Sequence, residues 1–173
     1  MKRYILTVMM SLLLLAGSAF ANGHTPQVKG KSEAEKFIKQ LAKLKESEID
    51  YAYISATMFR QMFSMIGAEV ELKGVPNPIA SIKSLRSFST TGETGYVTLK
   101  KHIAPFLQED DNVMGLELMA LSREGEMVTA IYGDSENTLV INDEGDELSV
   151  VFISGLSYDL FKTLGENGME IGF

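Results

Sequence analysis

The chain has 173 residues, with 16 basic and 23 acidic side chains and a formal charge of −7. A chain this acidic lacks the basic footprint that nucleic-acid phosphates require, and it has no polybasic run for an anionic membrane surface. It holds no cysteine, which excludes disulfides, thiol catalysis and thiolate zinc sites.

Lys2 and Arg3 open the chain as a small basic segment. Residues 5–16 are apolar except for Thr7 and Ser11, and Gly17-Ser18-Ala19-Phe20-Ala21 follows with an Ala-x-Ala ending. This pattern predicts a secretory signal peptide over residues 1–21, cleaved after Ala21. The alternative is an uncleaved anchor, but a spanning helix needs about 20 apolar residues, and this core is shorter. No cysteine is present to take a lipid, and no later run approaches spanning length. The expectation is an exported protein, periplasmic or extracellular, with no stable membrane anchor after cleavage. Loss of Lys2 and Arg3 leaves the mature chain more acidic still. Residues 22–31, NGHTPQVKGK, read as a flexible leader, and residues 32–173 as a single domain.

Ser32 and Glu35 have capping-box spacing and mark a helix start. Ala34, Phe37, Ile38, Leu41 and Leu44 then recur at helical spacing, which predicts a helix over 33–46. Tyr51 to Ser55 reads as a strand, since aromatic and β-branched residues suit a pleated surface. Ser55 or Thr57 can cap the helix that follows over 57–66. In that helix Met58, Phe59, Met62, Phe63, Met65 and Ile66 form one wide apolar face, and Gly67 ends it. Gly74, Pro76 and Pro78 make residues 67–78 a loop. Residues 79–82 read as one helical turn and 84–90 as a second strand. TTGETG at 90–95 turns into a helix over 95–108, which Pro105 kinks or ends.

From Val113 the period changes. VMGLELMALS, MVTAIYG, TLVIN and LSVVFISG are separated by REGE, DSEN and DEGDE. This is the pattern of four antiparallel strands in a meander, with Gly125 and Gly145 where hairpins need positive φ. Val150-Val151-Phe152-Ile153 is apolar on both faces, which implies burial on both sides. A last helix is expected over 157–164. The fold class is α+β: a mainly antiparallel sheet with a C-terminal four-strand meander, and helices packed on one face.

The runs DYAYISATMF, LELMALSREGEMVTAIYG and LSVVFISGL resemble the domain of unknown function 4252 family. The resemblance spans residues 37–164 and rests on the order of elements and on Tyr-x-Tyr-Ile-Ser-x-x-Met at 51–58. It implies a small exported protein of Bacteroides-type bacteria, with an envelope or regulatory role near extracytoplasmic stress sigma factors. Many members carry a lipoprotein cysteine after the signal, which this chain lacks. The resemblance implies no catalytic residues.

No catalytic constellation stands out. Gly133-Asp134-Ser135-Glu136-Asn137 lacks the final glycine of a nucleophile elbow. The two histidines are His24, in the leader, and His102, on a polar helix face after Lys100 and Lys101. TGETGY lacks the lysine of a phosphate-binding loop. The acidic runs at 109–112 and 143–147 do not follow the EF-hand spacing, although oxygen-rich turns sometimes hold calcium weakly. No cofactor and no metal site is expected.

The reading that remains is a non-enzymatic envelope module that binds an unknown protein, with a homo-oligomer possible. The candidate partner or ligand face is Met58, Met62 and Met65, because exposed methionine surfaces adapt to varied partners, while buried ones serve as packing filler. Two alternatives stand beside it. One is a binder or sensor of a small apolar ligand held between this helix and the sheet. The other is a carboxylate-based hydrolase, which would need a cleft with convergent acids.

Overall fold

The computed structural model describes residues 33–65, 78–108 and 110–157. Helix α1 spans Glu33–Leu41, strand β1 Ile49–Ser55, helix α2 Ala56–Met65 and the short helix α3 Pro78–Ser81. Strand β2 spans Ser84–Thr90 and helix α4 Glu93–Ile103, continued as a 3-10 turn over Ala104–Leu107. The remaining strands are β3 Asn112–Val113, β4 Leu116–Glu124, β5 Met127–Gly133, β6 Asn137–Asp143 and β7 Leu148–Ser154.

The strands form one seven-stranded sheet in the order β1-β2-β7-β6-β5-β4-β3, and every neighbouring pair is antiparallel. The chain leaves β2, crosses to the far edge at β3 by way of α4 and the 3-10 turn, and returns strand by strand until β7 lies beside β2. The expected α+β class, antiparallel sheet and C-terminal meander are present. Gly125 and Gly145 have φ of 65° and 93°, as the hairpins require. The expected strand VMGLELMALS is broken at Met114-Gly115, both with positive φ, so that Asn112–Val113 fold back as β3 against β4.

The sheet is apolar on both faces, and each face has its own core. One holds Phe88, Ala130, Tyr132, Leu139, Ile141, Leu148, Val150 and Phe152 against Ala34, Ile38 and Leu41 of α1 and Leu99, Ile103 and Phe106. The ring of Phe106 meets Tyr132 edge-on at 5.2 Å, and the Tyr132 hydroxyl donates to the Phe106 carbonyl at 3.0 Å. The other holds Ile54, Leu85, Ile131, Val140, Val151 and Ile153 with Phe59 of α2, Ile82 and Leu156.

Helices α1 and α4 thus share a face, as expected, whereas α2 packs on the opposite one. The reason is local. Ile54 points to the second face, and α2 begins one residue after Ser55, so Phe59 and Met62 fall beside Leu85 and Ile153 without a crossing segment. Ser55 Oγ accepts from the Met58 amide at 3.3 Å, the cap expected from sequence. Two helix bounds also shift. The helix expected over 33–46 ends at Leu41, where the Lys43 and Leu44 amides turn back to Gln40 and Leu41. The helix expected over 95–108 starts at Glu93 and gives way at Ala104, with Pro105 inside the 3-10 turn. The cap at Ser32, the loop before Pro78 and the helix expected over 157–164 fall wholly or mainly outside the described residues.

Candidate functional site

One edge of the sheet is guarded. β3 has only two residues, β4 carries a register break between Leu118 and Ala120, and its exposed end reads Ser122-Arg123-Glu124. Short strands, bulges and charge all discourage pairing with another chain. Among the described residues the opposite edge, β1, has no strand beside it and is neither short nor bulged. It runs seven residues in unbroken register against β2 from Ile49↔Thr90 to Ser55↔Ser84, with Asp50 its only charge.

The phase of the β1–β2 ladder can be read from its ends. The Thr91 amide donates to the Glu48 carbonyl at 2.9 Å and the Ala56 amide to the Lys83 carbonyl at 3.1 Å. Hydrogen-bonded pairs alternate in an antiparallel ladder. Asp50, Ala52 and Ile54 therefore turn their peptide groups towards β2, and Tyr51 and Tyr53 turn theirs away from the sheet. The Ile49 amide, on the same outward phase, is satisfied by the Glu46 carbonyl at 3.2 Å.

Tyr51 and Tyr53 also expose their side chains, by 44% and 50%. Both lie on the α1/α4 face of the sheet, beyond the helices. Tyr51 packs on Phe88 with ring centroids 5.1 Å apart. The Arg86 guanidinium sits 4.9 Å from the Tyr53 ring centroid, and Arg86 also donates to Ser84 Oγ at 3.3 Å. The result is a ridge of two rings, each seated on a β2 side chain, beside two outward-facing peptide groups.

The methionines singled out from sequence divide. Met58 is 52% exposed, whereas Met62 packs partly buried against the second core. The side chain of Met65 lies outside the described residues. Met58 lies just beyond the C-terminal end of β1, so the exposed part of the expected face adjoins the open edge.

The glycine loop at 90–95 has a structural occupant. The Gly95 amide donates to Glu48 Oε2 at 3.0 Å, so the N-terminus of α4 already faces an anion of the protein itself. A Cβ on Gly95 would run into the Glu48 main chain, and one on Gly92 would stand 2.6 Å from the Glu48 carboxylate. Both glycines allow this close approach.

The acidic turn at 143–147 also points partly inward. The Asp143 side chain is 2% exposed and pairs with Lys100 Nζ at 2.9 Å. It accepts from the Tyr96 hydroxyl at 2.9 Å and the Gly145 amide at 3.1 Å. The bond from Lys100 to Tyr96 and the one to Asp143 hold the ammonium above its ordinary 10.5, with burial acting the other way. The cluster pins α4 to the β6–β7 hairpin. His102 is exposed and sets Nδ1 at 2.8 Å from the Thr98 carbonyl, an acceptor, so Nδ1 carries the proton. Among the described residues, no group of three or more His, Asp or Glu side chains converges as a metal site, and no helix is long and apolar enough to cross a membrane.

The tyrosine ridge was not singled out from sequence. Tyr51 and Tyr53 stand two apart and so share a strand face, but nothing local says that this strand lies at an edge.

No family model matches the chain, and neither curated proteins nor solved structures yield a match. The family resemblance accordingly rests on the residues quoted for it.

Proposed function

We propose that this chain is a non-enzymatic binding module of the cell envelope that takes a partner polypeptide along β1. The observation that carries this reading is the unguarded edge: seven regular residues, outward peptide groups at Tyr51 and Tyr53, and two exposed rings beside them. Strand addition draws affinity from main-chain hydrogen bonds and selectivity from the side chains that flank them. Tyr and Arg are the residue types that most often dominate protein interfaces. Met58, at the end of the same edge, extends the surface with a side chain that adapts to its neighbours. Export rests on the signal pattern of residues 1–21, and the family resemblance supports a role in an envelope stress or regulatory system.

The test is crosslinked capture of the tagged chain from its native envelope, with wild type and a Tyr53→Lys variant in parallel. Under this reading a polypeptide, either a second copy or another protein, crosslinks to wild type at β1 and is lost from the variant. Recovery of the bait alone, or of a partner indifferent to Tyr53→Lys, would overturn it.

A further inference from the structure

We infer that the polypeptide taken by β1 is a second copy of this chain, paired antiparallel about a two-fold axis at Ala52. This rests on the edge-binding reading above and assigns its occupant.

The first argument is the phase of the edge. The outward peptide groups belong to Tyr51 and Tyr53, one on each side of Ala52. A two-fold axis at Ala52 brings Tyr51 of one copy opposite Tyr53 of the other, twice over. Each such pair exchanges both of its N–H···O bonds. These outward groups, which have no backbone partner among the described residues, are then consumed by their own symmetry mates, the self-complementarity that an isologous interface requires.

The second argument is the side-chain row. Tyr51 rests on Phe88 at 5.1 Å and Tyr53 under Arg86 at 4.9 Å. In the paired edge the two tyrosines meet as a cross-strand aromatic pair, giving a row of Phe88, Tyr51, then Tyr53 and Arg86 of the second copy. Every ring gains a neighbour and none is displaced from its own. On the opposite face Ala52 meets Ala52, where small side chains leave the strands free to close. Asp50 lies opposite Ile54, so the one charge of the strand does not face itself.

The third argument is charge. Glu46 and Asp50 stand at the start of β1, with Lys45 beside them and Glu48 turned to the Gly95 amide, and Arg60 and Arg86 stand at its end, with Lys83 paired to Glu136 at 3.2 Å. Antiparallel pairing lays the acidic start of one copy along the basic end of the other. Parallel pairing would set like ends together. This local complementarity orients the pair despite an acidic chain overall. The two sheets then run on as one, and both open edges disappear.

The absence of cysteine makes the test clean. In the inferred register Ala52 faces its mate as a non-hydrogen-bonded pair, with Cα atoms about 4.5 Å apart, inside the roughly 4.4–6.8 Å that a disulfide spans. The A52C variant under mild oxidation should form a disulfide-linked dimer at least about tenfold faster than M127C, since the paired edge holds the thiols at high effective concentration. Met127 is exposed on the distant β4–β5 hairpin and reports random collision. Sedimentation of the purified chain should show a monomer–dimer equilibrium, moved to monomer by Tyr53→Lys, whose urea midpoint should match that of wild type at a protein concentration low enough for both to be monomeric. A chain that stays monomeric at every concentration overturns the inference. So does a dimer in which A52C links no faster than M127C. A monomeric chain that captures a different protein through Tyr53 overturns self-pairing and leaves the edge-binding reading standing. A chain that captures nothing overturns both.

Discussion

Glu48 and Gly95 are locked together at the foot of α4. The Glu48 carboxylate accepts from the Gly95 amide at 3.0 Å, and the Glu48 main chain occupies the space a Gly95 side chain would need. Gly95→Ala should therefore cost about 2–3 kcal/mol, the range of overpacking against a backbone that cannot step aside. Gly92→Ala meets only the far end of the Glu48 side chain and should cost less than half as much. Urea unfolding checks both, with a lower midpoint and an unchanged slope.

Removing the acceptor tests the same contact from the other side. Glu48→Ala leaves the first turn of α4 without a cap and should cost about 1 kcal/mol. Glu48→Gln keeps an acceptor and loses the charge, so its cost should be smaller. Because the clash is with the Glu48 main chain, Glu48→Ala should not rescue Gly95→Ala. Denaturation of the double variant reads this directly.

The Lys100–Asp143 pair predicts an alkaline limit. A lysine raised in the folded state stabilises fully below 10.5, and that contribution is lost as pH rises through its higher folded value. Wild type and Lys100→Met should thus differ in urea midpoint at neutral pH and converge well above 10.5. Lys100 is 43% exposed, so the neutral-pH gap should be modest. Asp143→Ala strips the shared acceptor from Lys100, Tyr96 and Gly145 and should cost more, about 2–3 kcal/mol.

Tyr132→Phe should cost about 1–2 kcal/mol. It removes a buried hydroxyl that bonds the Phe106 carbonyl and leaves that carbonyl in apolar surroundings. The ring contact at 5.2 Å survives the change, so near-ultraviolet spectra should keep their folded form while the midpoint falls.

Met58 and Met62 should separate binding from stability. Met58→Gln alters an exposed side chain and should stay within about 0.5 kcal/mol of wild type. Met62→Gln places an amide against the second core and should cost about 1–2 kcal/mol. Thermal unfolding tests the contrast.

Elements with a sustained period were legible in the sequence. The meander could be read because VMGLELMALS, MVTAIYG, TLVIN and LSVVFISG keep their turns at regular intervals. The Ser55 cap and the positive φ of Gly125 and Gly145 follow from turn chemistry within a few residues. The helix over 33–46 was read too long because Leu44 keeps the apolar spacing after the backbone has left the helix at Leu41. The Met/Phe stripe was legible as an apolar face, and Phe59 and Met62 use it for packing.

Alternation of side chains is a local property, and sequence by itself determined the places of the long strands of the meander, of β1 and β2, and of the cores of α1, α2 and α4. Strand order is not local. Only the tertiary structure decided that β1 lies at an edge of the described sheet while β7 is enclosed, that α2 takes the face opposite α1 and α4, and that Arg86 stacks over Tyr53. Glu48 finds Gly95, and Tyr96 finds Asp143, across 47 residues each. Such pairs depend on which strands become neighbours, and that is settled by burying both faces of the sheet at once rather than by any period in the chain.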